Sequence, residues 1–148
     1  MEFKSKRIIA KNKKARFDYH ILDTFEAGIV LKGSEVKSIR QGKASLSDAF
    51  AQVVGGEVFL FNMHVSPYEK AGDILDPKRD RKLLLSKNEI RKIEGKLKNE
   101  GLALVPLELY FKKNFVKVSL AVAKGKKKYE KRDKIIKKEQ KREIKRYL

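Results

Sequence analysis

The chain has 148 residues, of which 41% are hydrophobic, with 37 Lys+Arg against 19 Asp+Glu, a formal net charge of +18, and no cysteine. This size supports one compact core and argues against a large multidomain enzyme, and the missing cysteines exclude disulfides, thiolate zinc sites and thiol nucleophiles. A membrane span needs roughly 18 apolar residues, but the longest uncharged run, Val58 to Tyr68, has 11, and the charged start Met1-Glu2-Phe3-Lys4-Ser5-Lys6-Arg7 lacks the apolar core of a secretion signal.

In chain order, residues 1–16 come first as a basic arm with 7 cations and 1 anion. Short helical turns are expected at 12–17 and 34–40, on either side of an apolar strand Ala27-Gly28-Ile29-Val30-Leu31. Phe50 to Val54 and the run from Val58 read as two strands joined at Gly55-Gly56, since glycine reaches the positive φ of a tight hairpin. In the second strand the alternation puts Phe59, Phe61, Met63 and Val65 on one face and Val58, Leu60, Asn62 and His64 on the other. Ser66 to Arg81, with Pro67, Gly72 and Pro77, reads as a long functional or disordered loop.

Ser86 and Glu89 have capping-box spacing, Ile90, Ile93 and Leu97 form an apolar stripe, and Gly101 follows as a stop, so a helix is expected between them. A second hairpin follows, with Ala103, Val105, Leu107, Leu109 and Phe111 on one face and Val116, Val118, Leu120 and Val122 on the other, across Lys112-Lys113-Asn114. Pro106 makes its first strand an edge strand or a bulged one. Most phenylalanines fall on apolar faces and read as core. The pattern predicts a mainly β fold: an antiparallel barrel of the oligonucleotide-binding type with about three helices, over residues 1–123. Residues 124–148, with 13 cations and 4 anions, form a basic tail that should be extended when alone. Tyr129, Ile136, Ile144 and Leu148 would make a thin stripe if it became helical on an RNA surface.

The two ends carry most of the charge and leave residues 17–123 with 17 cations against 14 anions. Basic arms on a nearly neutral body suit a polyanion held along an extended path. Catalysis has little support. His20 and His64 are far apart, the acidic residues have no metal-cage spacing, and Gly55-Gly56 is a hairpin and not a phosphate loop. His64 reads as a barrel-rim side chain. Tyr19, Tyr68 and Tyr129 lie beside cations or in loop-like context and are the candidates for base stacking.

Asn12-Lys13-Lys14-Ala15-Arg16-Phe17-Asp18-Tyr19, then Phe25-Glu26-Ala27-Gly28-Ile29 and Gly33-Ser34-Glu35-Val36-Lys37-Ser38-Ile39-Arg40, resemble the small protein B family, the tmRNA-binding (SsrA-binding) proteins of bacteria. The resemblance continues through Asp76-Pro77, Arg81-Lys82-Leu83-Leu84-Leu85 and Ala121-Val122-Ala123-Lys124-Gly125-Lys126-Lys127, in the family's order, and covers nearly the whole chain. It implies a barrel that binds the tRNA-like domain of tmRNA and promotes its alanylation by alanyl-tRNA synthetase. It also implies delivery to stalled ribosomes with elongation factor Tu and GTP, the basic tail taking the decoding centre and the empty mRNA path. The protein itself would be a cytoplasmic, monomeric RNA-binding factor with no cofactor, metal or active site.

By the same resemblance Glu26 is an RNA-contacting carboxylate, with a salt bridge to a neighbouring lysine as its competing role. Leu84 matches an RNA-face leucine, with core packing as the alternative. Lys13, Lys14, Lys37, Arg40 and Lys82 would contact phosphates, and Tyr19 and Glu35 complete the RNA-binding set. Lys124, Lys126, Lys127, Tyr129, Lys131 and Arg132 belong to the ribosome-binding tail. The chain departs from the family at Phe17, Leu75, Ser86 and Glu130. For Gly28 and Gly33 the preferred reading is backbone geometry alone. A ribosomal or general RNA-chaperone protein with a similar barrel is the alternative function.

Overall fold

The computed structural model describes residues 6–68, 72, 75–99 and 101–126. The elements run β1 (Lys6–Lys11), α1 (Lys13–Asp18), β2 (Tyr19–Ile29), α2 (Gly33–Arg40), β3 (Ala44–Ser45), β4 (Phe50–Val54), β5 (Glu57–Phe61), β6 (His64–Val65), β7 (Arg81–Leu84), α3 (Lys87–Leu97), β8 (Leu102–Lys112) and β9 (Phe115–Gly125). All pairings are antiparallel, and the strand order β1-β8-β4-β5-β7-β2-β9 closes through a β8–β9 pairing. The result is the expected barrel. β8 is the hub: β9 pairs along one edge, while β4 and β1 share the other, at Leu104 and from Glu108 to Lys112. β3 and β6 form a separate two-stranded ribbon.

Both short helices lie where the sequence places them. The strand at 27–31 is the end of a much longer one, because β2 already begins at Tyr19 and pairs with β9 from there. Its polar stretch from Asp23 to Glu26 hid it: alternate residues face solvent on the outer wall. Ser86 caps α3 as expected, accepting from the Glu89 backbone N–H at 3.2 Å while its own N–H donates to Glu89 Oε1 at 3.1 Å. The helix ends at Leu97, ahead of Gly101, whose φ of +82° turns the chain into β8.

Three local irregularities change which side chains face inward. Asn62 has φ of +62°, and the phase flips there. Val58 and Leu60 are core before it, Met63 and Val65 after it, so the expected Phe59-Phe61-Met63-Val65 face does not form. β8 carries a bulge between Pro106 and Glu108. Leu104, Leu109 and Phe111 therefore point into the barrel, whereas Val105 and Leu107 point out, into a second cluster with Ala15, Ala121 and Ala123. A third irregularity between Ile21 and Asp23 gives β2 the matching correction. Pro106 is accommodated by the bulge and not by an edge, and α1 covers the apolar half of the outer wall.

The β8–β9 turn has no glycine, yet Lys113 and Asn114 have φ of 56° and 84°. Two consecutive positive φ values are the hairpin geometry that favours Asn-Gly. The double change Lys113→Asn, Asn114→Gly should raise stability by about 1 kcal/mol, read as a higher thermal midpoint with unchanged circular dichroism.

Candidate nucleic-acid interface

Beyond α1 the outer wall is open, and the strand register fixes what it displays. Gly28 lies opposite both Leu84 and Lys117, and Lys117 lies opposite Tyr110. One row therefore crosses β7, β2, β9 and β8 as Leu84, Gly28, Lys117 and Tyr110. The adjacent row carries Glu26, Ser119 and Glu108. The row on the other side carries Phe115, Lys112 and Lys6.

Glu26 sits at the centre. Tyr110 Oη donates to its Oε2 at 2.5 Å, and Lys112 Nζ lies 3.4 Å from Oε1. The Tyr110 hydrogen bond, opposed by partial burial and assisted by Lys112, holds the Glu26 carboxyl below the usual carboxylate range. Burial and the same carboxylate push the Tyr110 hydroxyl well above its ordinary value. The pair thus stays an anion and a neutral phenol at neutral pH. Glu26 remains 40% exposed, and an exposed ion pair of this kind is worth at most about 1 kcal/mol. Both sequence alternatives for Glu26 are therefore compatible. The salt bridge is weak enough to be exchanged for base-edge donors.

Leu84 is 51% exposed, so it is not core. It lies across Gly28, where an added Cβ would come within 3.3 Å of Leu84 Cβ, which gives Gly28 a packing reason beyond conformation. At Gly33, with nothing within 4 Å, no such reason exists. Lys82 shares the outward face of β7 with Leu84 and pairs with Glu57 at 3.0 Å. Lys6 Nζ reaches Glu108 at 3.2 Å and lies over the Tyr110 ring.

Other expected positions fall elsewhere. Lys13 and Lys14 are exposed on α1, beside this wall. Tyr19 is half-buried against the second cluster, a packing position more than a stacking platform. Lys37 and Arg40 project from α2, Lys37 over the Tyr68 ring at 5.4 Å and Arg40 over Phe111 at 5.4 Å. Glu35 is a correction. It is buried, its oxygens accepting from Lys32 N–H at 2.8 Å, Arg79 at 2.5 Å and 3.0 Å, and Arg81 Nε at 2.8 Å. Its carboxylate ties the start of α2 to Arg79 and Arg81 instead of facing solvent. Lys124 and Lys126 lie at the far end of the wall, where Lys126 N–H donates to Asp18 O at 2.8 Å. Lys127, Tyr129, Lys131 and Arg132 lie outside the described residues.

The sequence reading missed Lys6, Tyr110, Lys112, Phe115 and Lys117. The alternation of Val116, Val118 and Leu120 inward could have placed Phe115 and Lys117 outward. Phenylalanines are less often core than expected: Phe115 is 69% and Phe50 39% exposed, and Phe111 is the one buried among the described residues. His64 is half-buried on the β3–β6 ribbon, in keeping with a rim position. Among the described residues no helix is long and apolar enough to cross a membrane, and no group of acidic or histidine side chains could hold a metal.

Comparison with known proteins places the chain among relatives of one family. The model of the SmpB protein family matches residues 9–148. The SsrA-binding protein of Halothermothrix orenii is 56% identical over 141 residues, covering 95% of this chain and 91% of the relative. That of Clostridium botulinum is 57% identical, covering 98% and 94%. A chain of the solved structure described as "tmRNA-SmpB: a journey to the center of the bacterial ribosome" superposes with a TM-score of 0.67 at 50% identity, covering 80% of this chain and 84% of that one.

Proposed function

The chain belongs to the SmpB protein family, and from that membership we propose that it binds the tRNA-like domain of tmRNA and delivers it to stalled ribosomes for trans-translation. The observation that carries this reading is the outer wall. Glu26, the exposed Leu84 and the lysines Lys6, Lys112 and Lys117 share a continuous surface on five paired strands, rigid enough to fix their spacing. Lys6, Lys112 and Lys117 hold phosphates, which position the RNA without reading it. Glu26 accepts from unpaired base edges, and Leu84 packs on an unstacked base, the mode by which folded RNA loops are distinguished from duplex.

The basic tail carries the ribosomal half of the function, entering the decoding centre and empty mRNA path through Tyr129, Lys131 and Arg132. Alanyl-tRNA synthetase and elongation factor Tu act on the tmRNA that the protein presents. The protein works in the cytoplasm, by binding and without a reaction of its own.

Fluorescence titration tests the reading against the tRNA-like domain and a duplex of equal charge. Tighter binding of the tRNA-like domain at physiological salt is expected. Leu84→Ala should weaken it about 10-fold, the transfer free energy of a few half-buried methylenes, and leave duplex binding unchanged. Equal affinities for the two RNAs would reject the assignment.

A further inference from the structure

A second cationic site lies around the rim from this wall. Arg7 of β1, Arg40 at the end of α2, and Lys113 and Asn114 of the β8–β9 turn line a cleft of about 270 Å³ whose floor is Phe111. Arg7 Nη2 donates to the Arg40 carbonyl at 3.1 Å, and the Arg40 guanidinium lies over the Phe111 ring. Two guanidinium groups are thus fixed beside each other, one by a hydrogen bond and one by the ring. No carboxylate lines the cleft. Five acidic side chains, Asp23, Glu26, Glu35, Glu57 and Glu108, pair with cations outside the cleft: Lys6, Arg16, Arg79, Arg81, Lys82, Lys96 and Lys112. The cleft therefore gathers three cations against only the negative end of α2, about half a charge, whose last carbonyl Arg7 already occupies.

We propose that this cleft seats a backbone phosphate of the same RNA that the outer wall binds. This deepens the proposed function and rests on it. The chemistry is that of a phosphate. Guanidinium groups match its oxygens with paired N–H donors, Lys113 adds a point charge, and the Asn114 amide can donate to a further oxygen. A base is a poor fit, because Phe111 is buried to 7% exposure and has no free face to stack on. The path is short. Successive residues of a strand point to opposite faces, so Tyr110 and Lys112 face the wall while Phe111 faces the cleft. A backbone leaving Lys112 crosses the turn at Lys113 and enters it.

The test uses the full chain and the tRNA-like domain, titrated across salt. Arg7→Gln/Arg40→Gln should weaken binding about 10-fold near 150 mM salt and lower the log–log salt slope by about 0.7–0.9 for one lost phosphate. Lys113→Asn, which keeps a residue tolerant of positive φ, should weaken it about 3-fold and decides the matter if the double variant does not fold. Leu84→Ala is measured alongside. If it weakens binding while the cleft variants change neither affinity nor slope, the cleft proposal fails alone. If none of them matters, the outer-wall reading fails with it. Unchanged affinity for the tRNA-like domain with lost co-sedimentation on ribosomal subunits would assign the cleft to ribosomal RNA and also overturn the proposal.

Discussion

Replacing Glu35 with alanine is expected to lower the unfolding free energy by about 3–5 kcal/mol, the cost of leaving a buried cation without its partner. Arg81 is 1% exposed, and every donor of its guanidinium is placed: Nε and Nη2 on Glu35, Nη1 on the Met63 and Arg79 carbonyls, Nη2 again on the Pro77 carbonyl. Arg79 adds its own fork to the same carboxylate. Removing the carboxylate would strand one fully buried guanidinium and one half-buried one, and release the N–H of Lys32 at the start of α2. Since domains of this size are stable by about 5–15 kcal/mol, urea denaturation should show a large fall in midpoint. A midpoint within 0.5 M urea of the parent would exclude the network as a main support.

The same network has a pH signature. Burial alone would raise the Glu35 carboxyl, but hydrogen bonds from Arg79, the Lys32 backbone and Arg81 outweigh it and hold the carboxyl below its ordinary value of 4.5. A depressed folded-state value means stability that is present above the unfolded value and lost as pH falls below it. The parent should therefore lose stability on acidification below that point, and the Glu35→Ala chain should lack this share of the loss.

Glu35 also shows where sequence reading stops. It stands in the block Gly33 to Arg40, which together with Phe25 to Ile29 carries the family resemblance, and that resemblance puts it in the RNA-binding set. Its partners, Arg79 and Arg81, lie 44 and 46 residues away, a distance that no local pattern spans. Local patterns did yield the hairpin at Gly55-Gly56, the Ser86 cap and both short helices, because turns and caps depend on adjacent residues. The barrel faces were harder. An alternation rule carries its phase through a strand, and one bulge at Pro106 or one positive φ at Asn62 reverses it. The outer wall depended on both closure and phase: Tyr110 reaches Glu26 only because the bulge turns it outward and β9 lies between their strands. The leucine and the glutamate were legible by resemblance; the lysines and the tyrosine that surround them needed the register.

Truncation after Lys126 is expected to separate the two halves of the function. Among the described residues every core residue of the barrel lies before this point, and so does the outer wall. Binding of the tRNA-like domain should stay within about 3-fold of the parent at physiological salt, where exposed charges beyond about 8 Å are screened. Tagging of stalled peptides should be lost, since residues 127–148 remove 11 cations and 4 anions together with Tyr129. The boundary matters. The sequence placed it after Ala123, but β9 continues to Gly125, with Lys124 opposite His20 and Gly125 opposite Tyr19, and Lys126 bonds both Asp18 and Arg16 carbonyls. A chain ending at Ala123 would forfeit those hydrogen bonds, each worth about 1 kcal/mol net, and loosen α1 from the wall that it covers. It should bind RNA less well for that reason alone. Measuring both truncations for RNA affinity and for tagging distinguishes a tail that acts on the ribosome from one that only completes the barrel. If the chain ending at Lys126 binds the tRNA-like domain more than 30-fold more weakly than the parent, the tail shares in RNA selection and the division between body and tail is wrong.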